Sequence, residues 1–179
     1  MIEIRHPFPK SWWVEPGQFL AGCYPGDLDP EKAEAKLRAL LDAGIRSVVN
    51  LQVEGETANG KAFVPYREML HRLSQVKGIE TTGVRIAIRD NDVPSRETML
   101  RILDVIDAAI HCGQPVYVHC WGGHGRTATV VGCWLVRRGY TGRAALERIL
   151  HLRGHDTELR RRPAPQTRAQ IEMVRDWHE

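Results

Sequence analysis

The stretch Val116–Val131, VYVHCWGGHGRTATVV, constrains the fold more than any other part of this chain. An apolar run with strand character stops at Cys120, passes Gly122, Gly123 and Gly125, and resumes after Arg126 as a second apolar run. A strand that turns through glycines straight into a helix is the repeating unit of an α/β sheet. In such sheets ligands bind beyond the carboxyl ends of the strands. The spacing therefore predicts a binding loop between a strand end and a helix N-terminus.

The flanking sequence agrees. Trp12–Asp29 carries Gly and Pro every few residues and reads as short strands and turns. Asp29-Pro30-Glu31 supplies an N-cap, a proline at the first helical position and an acid in the first turn. Ala33, Leu37, Leu40 and Leu41 follow at helical spacing, with Gly44 as the stop. Ile45–Leu51 reads as a buried strand, Tyr66–Leu73 as a helix and Val84–Ile88 as a strand. Ser95 caps a long helix through Ile110, Val116–His119 is a strand, and helices are predicted over Arg126–Arg137, Gly142–His151 and Thr167 to the end. Strands alternating with helices predict a single α/β domain over residues 1–179, built on a mostly parallel sheet of four or five strands with helices on its faces.

Composition narrows the class. At 179 residues, with 42% hydrophobic and 26% charged side chains, the chain has the mix of a globular protein with a sizeable core. Its longest apolar run, around Thr129–Val136, is interrupted by Gly132 and falls short of the roughly 20 residues of a membrane span. MIEIRHPFPKSWW has no apolar core, so neither a secretory signal nor a membrane anchor is expected. Cys23, Cys112, Cys120 and Cys133 form no C-x-x-C pair, which argues for a reduced, cytoplasmic setting. The 25 basic residues comprise 20 Arg and 5 Lys, dispersed and without interleaved aromatics, so nucleic acid is not an expected partner.

The loop has its own chemistry. Unpaired N–H groups and the positive helix end converge on an anion there, and glycines allow successive N–H groups to turn inward. Arg126 can clamp a tetrahedral oxyanion through two donors. The same field favours a thiolate, whereas an ordinary thiol is only about 3% ionised at neutral pH. One loop thus activates a nucleophile and binds the anion it attacks. A nucleotide-binding P-loop fails at two positions: Cys120 stands where its first glycine belongs, and Arg126 where its lysine belongs.

His119-Cys120, five residues, then Arg126-Thr127 resembles the signature loop of the protein tyrosine phosphatase superfamily. The wording HCWGGHGR is most similar to the cysteine-dependent dual-specificity branch, including the cyclin-dependent-kinase-associated phosphatases, and the resemblance extends over about residues 12–178. It implies a phosphoric monoester hydrolase that needs no cofactor and no metal. Cys120 is the implied nucleophile and Arg126 the clamp. Trp121, Gly122, Gly123, His124 and Gly125 complete the phosphate-binding loop. Thr127 is implied to hydrogen-bond the thiolate, and His119 to orient the loop through backbone contacts. The family takes its general acid from an aspartate ahead of a proline on an earlier loop. IRDNDVPS offers Asp90 and Asp92, and the branch's usual four-residue spacing to the proline favours Asp90. In RRPAPQTRAQ, Gln170 matches a glutamine that borders the site and positions the hydrolytic water, but Thr167 and Gln170 also spell an ordinary capping box.

Substrate class stays open at this level. Trp121 and His124 occupy loop positions where phosphoinositide-cleaving members often carry lysine. The expected activity is hydrolysis of phosphotyrosine, with phosphoserine or phosphothreonine also possible for a shallow site, by a monomer. Phosphoinositide or small phosphate esters are the alternative substrates, and a phospho-binding module without catalysis is the alternative function. Trp121 either faces a phosphotyrosine ring or packs beside the loop. Arg160, Arg161 and Arg162 either reach a second anionic group or form a solvated basic run. Sulfur transfer and arsenate reduction are disfavoured, because the acid loop has no place in the first and no resolving cysteine can be identified for the second.

Overall fold

The computed structural model describes residues 5–58 and 60–179, and in it the expected alternation of short strands and longer helices closes around a five-stranded sheet, with a separate two-stranded one beside it in the chain. In chain order the elements are β1 (Ser11–Glu15), β2 (Phe19–Gly22), α1 (Pro30–Asp42), β3 (Ser47–Asn50), β4 (Thr57–Ala58), β5 (Lys61–Ala62), α2 (Arg67–Val76), β6 (Thr82–Arg85), α3 (Arg96–His111), β7 (Val116–His119), α4 (Arg126–Arg137), α5 (Gly142–Leu152), α6 (Thr157–Arg160) and α7 (Arg168–Arg175). The five-stranded sheet runs β1-β2-β7-β3-β6, antiparallel only between β1 and β2. The expected mostly parallel sheet is therefore present, with five strands.

Period-two alternation sorts the strand residues onto two faces. Trp12, Phe19, Ala21, Val49, Val116 and Val118 join the core beneath α3, α4, α5 and α7. Trp13, Leu20, Val48 and Tyr117 join the core beneath α1 and α2. The central strand β7 is buried along its whole length. Helix α4 is buried on every side from Arg126 to Leu135. Its sequence, RTATVVGCWLVR, is poor helix material, with β-branched residues and a glycine that each cost up to roughly 1 kcal/mol in propensity. Burial of one large apolar side chain contributes about 1.5–3 kcal/mol, so packing outweighs propensity here.

Several boundaries differ from expectation for identifiable reasons. The strand expected at Val84–Ile88 is assigned at Thr82–Arg85, yet Ile86 N–H and Ile88 N–H still donate to Asn50 O and Leu51 O, so the backbone stays extended toward the site. Two small elements were not foreseen. The β4–β5 hairpin has strands of two residues each, too short for any periodicity, and α6 is a single turn capped by the Asp156 carboxylate. Asp29, Ser95, Thr141 and Thr167 all cap helices through their side chains.

Candidate active site

Strand β7 is held on both sides by parallel neighbours and ends at His119, whose carbonyl accepts from Leu51 N–H at 2.9 Å. That framework delivers Cys120, 3% exposed, to the mouth of the glycine loop. No backbone N–H of residues 121–125 donates to a protein acceptor among the described residues. Gly125 is the N-cap of α4 and offers no side-chain cap, so the helix start also keeps free donors. Gly123 has φ +74°, and a β-carbon there would lie 2.7 Å from the Gly22 carbonyl carbon. Both facts require glycine where the loop crosses the end of β2. Tyr24 N–H ties down the far side by donating to Trp121 O at 2.8 Å.

His119 is fully buried and lies under the loop. Its Nδ1 is 3.0 Å from Cys120 O, a pure acceptor, so Nδ1 carries the proton and Nε2 accepts from the Tyr66 hydroxyl at 2.7 Å. Burial pushes its pKa down to about 4, so the ring is neutral and serves as a brace for the Cys120 backbone.

Arg126 is 1% exposed and turned toward two acidic loops. Its Nη1 and Nη2 donate to Glu56 at 2.6 and 2.8 Å, Nη1 also donates to Ile88 O at 3.1 Å, and Nη2 lies 3.0 Å from Asp90 Oδ1. Burial opposes ionisation of Glu56. The hydrogen bonds from Arg126 and Gln52 outweigh that and hold its carboxyl below the usual range. Glu56 carries no motif; it sits in the loop before β4, and only the folded chain brings it to Arg126.

The two candidate aspartates separate. Asp90 borders the cleft beside Arg126, and its other oxygen accepts from the Asn91 side chain at 3.1 Å. Asp92 is spent locally, its Oδ1 accepting from Val93 N–H at 2.8 Å, and it does not border the cleft. Asn91 takes φ +60° between them, which turns successive side chains apart. Gln170 is fully buried: its carbonyl oxygen accepts from Gln166 and Thr167 N–H, and its amide donates to Asp92 O at 3.1 Å. It completes the capping box of α7 and stands against Gly125, joining three segments behind the loop.

The cleft itself has a volume of about 680 Å³. Cys120, Trp121, Gly122, His124, Gly125, Arg126 and Asp90 border it, whereas Gly123, Thr127 and Gln170 lie behind. Trp121 is 42% exposed at the rim and meets Phe63 edge-on, which in turn packs on Tyr24. Thr127 is buried with its hydroxyl 3.5 Å from Gly22 O. Arg162 borders the cleft, while Arg160 and Arg161 do not. Of the remaining cysteines, Cys23 borders the cleft with its thiol pushed up to about 11 by burial, Cys133 is buried in α4, and Cys112 is exposed at the end of α3. Among the described residues, no three His, Cys, Asp or Glu side chains are grouped to hold a metal ion, and no helix is long and apolar enough to cross a membrane.

Comparison with known proteins gives a consistent result. A family model described as "Polymorphic toxin system, DSP-PTPase phosphatase" matches residues 26–140. The rat phosphatidylglycerophosphatase and protein-tyrosine phosphatase 1 is 26% identical over 144 residues, covering 79% of this chain and 66% of that protein. A zebrafish protein tyrosine phosphatase domain-containing protein 1 is 30% identical over 136 residues, which is 75% of this chain and 18% of the longer protein. The chain thus spans just under two thirds of the first relative and less than a fifth of the second. The crystal structure of Tk-PTP in its active form superposes with a TM-score of 0.69 at 25% identity, covering 94% of this chain and 96% of that one. Kinase associated phosphatase shares the fold, with a TM-score of 0.68 at 19% identity and coverage of 96% and 94%.

Proposed function

The chain belongs to the DSP-PTPase phosphatase family, and from that premise we propose that it hydrolyses phosphate monoesters, phosphotyrosine foremost, through a phosphocysteine intermediate. One observation carries the reading: a buried cysteine, an arginine and a cleft-facing aspartate converge on a loop of unpaired N–H groups, with Arg126 3.0 Å from Asp90.

In the first step the Cys120 thiolate attacks phosphorus in line. The S–P bond forms as the P–O bond to the leaving group breaks, and Asp90 gives its proton to the departing oxygen. Arg126 and the loop N–H groups hold the three equatorial oxygens, where negative charge is concentrated. In the second step water attacks phosphorus, Asp90 takes the water's proton, and the S–P bond breaks to return thiolate and inorganic phosphate. The implied bond from Thr127 to the sulfur is not made in this structure: its buried hydroxyl is directed at Gly22 O, 3.5 Å away, with no hydrogen bond to Cys120 Sγ among the described residues. Asp90 contacts Arg126 in this structure; phosphate bound to the guanidinium takes over those donors and leaves the carboxyl to face the leaving oxygen. Gln170 holds the acid loop and Gly125 in register and acts by positioning.

The Trp121–Phe63–Tyr24 wall supports an aryl phosphate. A second reading, a phosphorylated lipid headgroup or small molecule, draws support from Lys10, Lys36, Lys61 and Arg162 around the cleft and from the name of the rat relative. A monomer in the cytoplasm, acting without metal, cofactor or nucleic acid, completes the proposal.

Hydrolysis of an aryl phosphate by the wild type and Cys120→Ser, each with and without a chelator, tests it. Chelator-resistant turnover that Cys120→Ser abolishes supports the mechanism. Turnover surviving in Cys120→Ser would sink it.

A further inference from the structure

Arg153, at the end of α5, is 1% exposed and is not used by the reaction described above. Its Nη2 donates to His124 Nδ1 at 2.6 Å, its Nη1 donates to Arg162 O at 3.3 Å, and its Nε has no partner. Both partners are neutral, and no carboxylate among the described residues lies within ion-pair distance. A guanidinium removed from water costs several kcal/mol unless something compensates its charge. Burial pulls its pKa down to about 10, which still leaves it charged at neutral pH. The protein therefore maintains a positive charge behind its phosphate loop that no carboxylate among the described residues contacts and that Asp156, from beyond ion-pair distance, offsets only in part.

The contact with His124 also fixes that ring. A guanidinium can only donate, so Nδ1 must be the acceptor and the proton sits on Nε2. Nε2 makes no hydrogen bond within the described residues and is not sealed from solvent, and His124 borders the cleft. Burial, then Arg153, Arg162 and Lys10, hold the His124 pKa down at about 4 against the opposing Glu158, so the ring stays a neutral donor. Gly122 makes room for it: a β-carbon there would lie 2.7 Å from His124 Cδ2. Arg162, exposed and in no ion pair among the described residues, borders the same side of the cleft. Lys10 does too, but it is paired with Glu158 at 2.6 Å.

We infer that His124, Arg153 and Arg162 form a second anion subsite beside the signature loop, which takes a phosphate or carboxylate that the substrate carries next to the phosphate being hydrolysed. His124 Nε2–H and Arg162 contact this group. Arg153 is a positioning residue: it fixes the imidazole and supplies the field behind it. The inference rests on the reading that the loop binds the reacting phosphate, and it narrows that reading to substrates with two neighbouring anionic groups.

Calorimetric titration of Cys120→Ser protein with inorganic phosphate and with pyrophosphate separates the two sites. Pyrophosphate is expected to bind about tenfold tighter or better, the worth of one or two charge-assisted hydrogen bonds. Adding Arg162→Ala should reduce that advantage to less than about threefold and leave phosphate affinity within about twofold, and adding His124→Asn should likewise reduce the advantage to less than about threefold. His124→Gln, whose amide N–H falls near the Nε2 position, should keep most of it. In nitrogen-detected NMR of the histidine rings, His124 should be the Nε2–H tautomer and should lose that preference in Arg153→Met. Equal affinity for the two anions, an advantage that survives His124→Asn, or an Nδ1–H tautomer for His124 would each overturn the subsite. Failure to bind phosphate at all would instead overturn the reading of the loop itself, and the subsite with it.

Discussion

Arg126 and Glu56, 70 residues apart in sequence, are joined by two hydrogen bonds of 2.6 and 2.8 Å, with the arginine 1% and the glutamate 10% exposed. The pair sets the plane of the guanidinium before any substrate arrives. In the proposed mechanism a fork held this way loses little conformational entropy on gripping phosphate, which is where arginine exceeds lysine.

Glu56→Gln keeps the size and one acceptor but removes the charge. Its kcat/KM should fall about 10- to 100-fold, consistent with the loss of one charge-assisted contact of about 1.5–3 kcal/mol that orients the clamp. Glu56→Ala should in addition lower unfolding free energy by about 3 kcal/mol, because a buried cation loses its partner. Steady-state kinetics and urea unfolding measure the two effects. Wild-type kcat/KM in Glu56→Gln would remove Glu56 from the site.

Asp90 and Asp92 should differ sharply. Asp90 faces Arg126 and the cleft, while Asp92 caps its own turn. Asp90→Asn is expected to lower kcat by about 10²- to 10⁴-fold, the usual span for a general acid, and Asp92→Asn by less than about tenfold. The reverse ranking with an aryl phosphate would transfer the role to Asp92.

Acid should destabilise the fold through His119. Its folded pKa of about 4 lies below the ordinary 6.5, so between those values the unfolded chain binds the extra proton. Stability is then complete above about pH 6.5 and declines as pH falls toward 4, by up to roughly 3 kcal/mol. Glu56, with its carboxyl held below the usual range, adds a second loss as pH drops through its own folded value. Urea midpoints between pH 7 and 4 report the slope, and His119→Gln should flatten the upper part of it. An unchanged slope in that variant would place the acid sensitivity elsewhere.

Gly123→Ala tests the loop geometry. The residue would have to hold φ +74° while its β-carbon met the Gly22 carbonyl carbon at 2.7 Å. A loss of about 1–3 kcal/mol in stability is expected from the strain, with most activity lost as the N–H groups are re-aimed. Full activity in this variant would mean that the loop tolerates another path.

Much of this architecture was readable in the chain. Asp29-Pro30, Ser95 and Thr167 announced helix starts because capping is local, satisfied by atoms within three residues. The spacing from Cys120 to Arg126 was equally legible, since a phosphate-sized loop is a property of consecutive residues. Strand ends were less so: Ile86–Ile88 keep sheet-like hydrogen bonds outside the assigned strand, a matter of neighbours rather than of sequence period.

Local sequence thus determined the α/β class, the signature loop and the pair of aspartates from which an acid could come. Tertiary structure decided which side chains face one another across long separations. It turned Asp90 inward and Asp92 away, brought Glu56 to Arg126, placed Tyr66 on His119, and set Arg153 behind His124. Those pairings join residues 29 to 70 positions apart, between segments whose own patterns hold no trace of the partner. Burial then gives each its strength, since the low-dielectric interior makes an unpaired charge costly and a paired one directional.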